Sequence, residues 1–126
     1  MGLDISHGAF SASCGAFDRF RRAVAEAIGG SWPEHHGEEW FWGDGYSEQS
    51  HPGLFAFLSH SDCEGEISPQ ECGRLADELE ALLPRLDALG DGAGHIARDG
   101  GYGDVCRQFI AGCRLAAERG EPLEFC

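Results

Sequence analysis

Apolar and polar positions alternate at the start of the chain, where Leu3 and Ile5 flank Asp4 and Ser6 follows. That period of two predicts a short strand. From Ser13 to Ile28 the period lengthens. Phe17, Phe20, Val24 and Ile28 recur at spacings of three and four, the stripe of a helix that Gly29-Gly30 ends, with Asp18, Arg22 and Glu26 on its wet side. Between Ser31 and Pro52 glycine, glutamate and histidine mix with Trp32, Trp40, Phe41, Trp42 and Tyr46. Trp40-Phe41-Trp42 predicts a strand with both tryptophans on one face; the rest reads as loop, the place for an insertion or a mobile flap. Leu54-Phe55-Ala56-Phe57-Leu58 is an unbroken apolar run of strand length and predicts a buried central strand.

The next helix carries the clearest start signal. Ser68, Pro69 and Glu71 form a capping box with proline at the first helical position, and Cys72, Leu75, Ala76, Leu79, Leu82, Leu83 and Leu86 continue as one apolar stripe. Pro84 predicts an end or kink near Leu83. Residues 90–103 are rich in glycine and read as an irregular connection. A last helix spans about Gly103 to Glu118, with Val105, Cys106, Phe109, Ile110, Cys113 and Ala117 inward and Gly120 placed to stop it. The tail Pro122–Cys126 predicts a short edge strand. Together these elements predict one α+β domain over 1–126, with a small antiparallel or mixed sheet built near Leu3, Trp40 and Leu54 and covered by three helices.

Charge narrows the function classes. Twenty-two acidic residues face nine basic ones, a net of -13, and every basic residue is an arginine. Such a chain repels a phosphate backbone, which argues against direct nucleic-acid binding. It suits a cation site, a well-solvated surface, or a protein partner met through the acidic surface, including the basic groove of a host defence protein that the carboxylates would occupy as nucleic-acid mimics. No apolar run approaches the ~20 residues that span a bilayer, and no secretory pattern opens the chain, so a cytoplasmic protein is expected. Without lysine there is no phosphate-cradling P-loop. The six cysteines form no C-x-x-C pair; Cys72, Cys106 and Cys113 read as core thiols.

The candidate chemistry lies at 60–71, HSDCEGEISPQE. His60, Asp62, Glu64, the carbonyl of Glu66, and Glu71 occupy the first, third, fifth, seventh and twelfth positions of an EF-hand-like loop, with Gly65 sixth and Ile67 eighth. Calcium follows from the spacing; zinc or manganese follows from the imidazole in first place. The competing reading is a polar turn before a capped helix, with Glu71 only the capping-box partner. His7 and Cys63 extend the set. If His7 meets His60, then His7, His60, Asp62 and Cys63 make a mixed transition-metal site able to activate water for hydrolysis, and Cys63 with His7 makes a cysteine–histidine dyad. His35 and His36 read as part of an exposed acidic loop, and nothing is assigned to His51 or His95.

The opening MGLDISHG, the central HSDCEGEISPQEC and the closing GEPLEFC resemble a family of small phage and bacterial proteins that share an MGLDIxH start, an HSDCDGE-type central motif and an EPLEF-like end. The resemblance implies a compact single domain in a phage or prophage setting and assigns no catalytic residue. A non-enzymatic acidic binding protein with a divalent-cation loop is the resulting expectation.

Overall fold

A computed structural model describes residues 2–33, 39–60 and 64–125. Two strands open the chain, β1 (Gly2–Ile5) and β2 (Phe10–Ser13), joined by a turn in which His7 and Gly8 take positive φ. Leu3 and Ile5 are buried and Gly2 and Asp4 exposed, the alternation the sequence carries. Helix α1 (Cys14–Ala27) follows, with Ser13 Oγ accepting from the Ala16 N–H as its N-cap.

The apolar run 54–58 is not a strand. It forms helix α2 (Pro52–Leu58), with Leu54, Phe57 and Leu58 buried at helical spacing and Phe55 and Ala56 half-buried. Proline opens the helix, and Glu78 caps it from a distance: its two carboxylate oxygens accept from the N–H groups of Gly53 (3.1 Å) and Leu54 (3.0 Å). Gly53 itself lets the helices touch, since a Cβ there would lie 2.4 Å from the Leu75 backbone nitrogen.

Strand β3 (Gly65–Ile67) leads into helix α3 (Pro69–Glu80), which begins with the complete Ser68/Glu71 capping box. Two short helices, α4 (Leu83–Ala88) and α5 (Gly94–Arg98), precede the long α6 (Tyr102–Arg119). Pro84 opens α4 instead of kinking α3, and α5 gives part of the glycine-rich connection regular structure. Gly120, at φ 66°, closes α6 in the left-handed conformation. The tail is strand β4 (Leu123–Phe125).

All four strands pair antiparallel in the order β2-β1-β4-β3, so β4 lies inside the sheet and not at its edge. Phe125 is the shared rung, opposite Ile5 on one side and Gly65 on the other. Trp40–Trp42 adds no strand to this sheet; Phe41 makes a single antiparallel bridge to Ser31. The α+β class holds, with six helices among the described residues where the pattern predicts three.

One core joins helices to sheet. Phe17 stands at its centre, ringed by Phe10, Phe20, Phe57, Phe109 and Phe125 at centroid distances of 5.3–6.4 Å. Cys72, Cys106 and Cys113 are buried in it, and burial pushes the Cys106 thiol up to about 12. No helix among the described residues is long and apolar enough to cross a membrane.

Candidate functional site

A cleft of about 520 Å³ borders the start of the 60–71 segment, and its lining includes Arg21, Trp32, Trp40, Trp42, Phe55 and His60. Its volume falls in the range of small-molecule sites. Two glycines close the segment that walls it. A Cβ on Gly30 would lie 2.3 Å from the Phe41 carbonyl oxygen, and one on Gly43 would lie 1.9 Å from that of Ile28. Because both side chains are absent, the chain leaving α1 and the chain returning at 41–43 cross at backbone distance, tied by paired 3.0 Å hydrogen bonds between Ser31 and Phe41. The indoles of Trp32, Trp40 and Trp42 are thereby gathered at the base of the loop.

Trp40 and Trp42 meet edge to face, ring centroids 4.7 Å apart at 72°, and Trp40 lies 6.5 Å from Phe55 of α2 at 49°. Their sharing of a face is the one feature of the predicted strand that survives. Phe41, between them, is 63% exposed.

At the cleft floor lies Arg21, 5% exposed and the buried charged residue of the described chain. Its guanidinium is held between the rings of Phe17 (5.1 Å) and Trp32 (5.0 Å), a doubled cation–π contact. Nη1 donates to the His60 carbonyl oxygen, and Nη2 lies 3.7 Å from Asp18 Oδ1, which also accepts from the Trp32 indole N–H at 3.3 Å. Arg21 thus ties α1 to the start of the 60–71 segment. Its position on the helix gives no hint of burial, because the wall that covers it comes from the tryptophan-rich loop.

His60 is the residue that the cleft and the sequence-predicted cation loop share. Its ring stacks on Phe125, centroids 4.1 Å apart, and its Nε2 lies 3.1 Å from the Glu66 carbonyl oxygen. Gly65 has φ 100°, and a Cβ there would lie 3.2 Å from two atoms of the imidazole. Glycine at this position therefore serves the backbone turn and the ring of His60 together.

The other predicted ligands are placed as follows. Glu64 is exposed. Glu66 is also exposed and lies opposite Glu124 in the β3–β4 ladder. Glu71 Oε1 accepts from the N–H and the hydroxyl of Ser68 at 3.3 and 2.9 Å. Asp62 and Cys63, like His35 and His36, lie outside the described residues. His7 lines a separate cleft near Glu121 and Pro122, with Nε2 2.9 Å from Glu121 Oε1 and Nδ1 2.9 Å from Ser6 Oγ. Among the described residues no three histidine, cysteine, aspartate or glutamate side chains gather to hold a metal ion.

No family model matches this chain, and no curated protein or solved structure does either.

Proposed function

We propose that this is a binding protein whose ligand site is the tryptophan-lined cleft between α2 and residues 32–33 and 39–42. The observation that carries the reading is the Trp40–Trp42–Phe55 arrangement: rings packed at defined angles, yet left half-buried where folding alone would favour covering them. Binding is favoured over chemistry by the lining. The lining is rich in aromatic rings, and two of its polar groups, Arg21 and His60, are already engaged by carbonyl oxygens. Saturation-transfer NMR with a pooled fragment set tests the proposal on the full chain. Fragments that bind wild type and are lost from Trp40→Ala and, independently, from Phe55→Leu support it. Fragment binding undiminished in both folded variants overturns it.

A second reading keeps the cation loop, and the helical state of α2 favours it. With α2 before it and α3 after it, 60–71 is framed as helix–loop–helix, the setting in which such loops hold calcium. Calcium, manganese or zinc would draw on His60, Asp62, Glu64, Glu66 and Glu71. His60 and Glu71 are engaged locally, which sets this reading second. Binding a cation to the folded state raises apparent stability, by ~2.7 kcal/mol at a hundredfold excess over Kd. A melting temperature raised by one of these ions relative to EDTA supports this reading; one that none of them changes removes it.

A further inference from the structure

We propose that the cleft recognises a quaternary or methylated ammonium group, an inference that rests on the cleft being the ligand site. Three observations carry it. First, the open lining is built of π faces set at steep angles, Trp40 against Trp42 at 72° and Trp40 against Phe55 at 49°. Rings at such angles present more than one electron-rich face to a single point, the arrangement that draws a bulky, weakly hydrated cation. Second, a ring of the lining already carries a cation, since the Arg21 guanidinium lies 5.0 Å from the centroid of Trp32. Third, Glu39 stands beside Trp40 in the lining and the chain carries a net charge of -13, a field that concentrates cations and repels anions.

Arg21 does not convert the cleft into an anion site. Asp18 lies beside it, the His60 carbonyl takes its Nη1 donor, and the rings cover its faces. An anion would meet a committed guanidinium on a chain of net charge -13. An ammonium with methyl groups meets ring faces and a carboxylate, and loses little hydration in doing so.

Choline and 3,3-dimethyl-1-butanol share one shape and differ in charge, so tryptophan emission titrated with each separates charge from shape. Choline should bind the full chain saturably, at least ~10-fold tighter than the alcohol. Trp42→Ala should abolish the response, and Glu39→Gln, at an exposed position where the fold is not at stake, should weaken choline several-fold without changing the alcohol. Equal or tighter binding of the alcohol overturns the inference. If fragments bind in a Trp40-dependent way and choline does not, the ammonium inference falls while the cleft stands; if neither binds, both fall. A trimethyl-lysine peptide gives the remaining arm: tighter binding than choline assigns the group to a protein tail, and weaker binding assigns it to a free small molecule.

Discussion

The imidazole of His60 lies nearly parallel to the ring of Phe125, 4.1 Å between centroids and 30° between planes. This stack joins the first residue of the 60–71 segment to β4, an inner strand of the sheet, and the His60 carbonyl joins the same residue to Arg21 on α1. His60 therefore relates the cleft, the helix bearing its floor, and the strand added last in the chain. A residue chosen from the sequence as a cation ligand acts in this structure as a packing and hydrogen-bonding centre.

Gly65 and His60 should couple energetically. Gly65→Ala forces a side chain to φ 100° and brings its Cβ to 3.2 Å from the imidazole. The backbone strain costs about 1–3 kcal/mol, and the ring contact adds to it. In His60→Ala the second part disappears. Urea denaturation of the two single variants and the double variant should show the pair less destabilising than the sum; strict additivity would place the two residues apart.

Glu78 should matter to α2 more than to its own helix. Removing the carboxylate in Glu78→Ala leaves the Gly53 and Leu54 N–H groups without their acceptor, a capping loss of about 1–2 kcal/mol. Glu80→Ala, which removes only an exposed pair with Arg114, should cost less than ~0.5 kcal/mol. Equal effects in thermal denaturation would contradict the assignment.

The same contact shows why α2 escapes a local reading. Five consecutive apolar residues carry no period, and nothing within 54–58 distinguishes a buried strand from a short helix. The deciding groups are Pro52 at the first turn and a carboxylate 24 residues away. By contrast α1, α3 and α6 announce themselves through apolar spacing, the Ser68/Glu71 capping box and Gly120, all of which are local. Strand β3 is hidden for a related reason: Gly65-Glu66-Ile67 gains its ladder only when β4 arrives from the far end of the chain. The cleft was legible in part. Trp40 and Trp42 share a face as their spacing implies, but burial of Arg21 depends on Gly30 and Gly43 letting the loop fold across α1.

Acid should weaken the fold in part through the arginine-paired aspartates. Asp87 accepts from both terminal nitrogens of Arg107, at 2.9 and 2.6 Å, which holds its carboxyl below its ordinary 3.8. A depressed folded-state value means the contribution is present above pH 3.8 and is lost as pH falls through the lower folded value. Asp99, paired with Arg98, shifts in the same direction. Wild type should therefore exceed Asp87→Asn in stability at neutral pH, with the gap closing below pH 3.8, measured by denaturant titration at stepped pH. A gap that stays constant into acid would show that the pair contributes nothing through ionisation.

The central claim is that small molecules enter between Trp40, Trp42 and Phe55. Crystals of the full chain soaked with choline, or with any fragment that saturation transfer identifies, test it most directly. The account predicts electron density for the molecule against those three rings, with Arg21 still donating to the His60 carbonyl beneath it. Density for the bound molecule in another groove, with this cleft left empty, would contradict it.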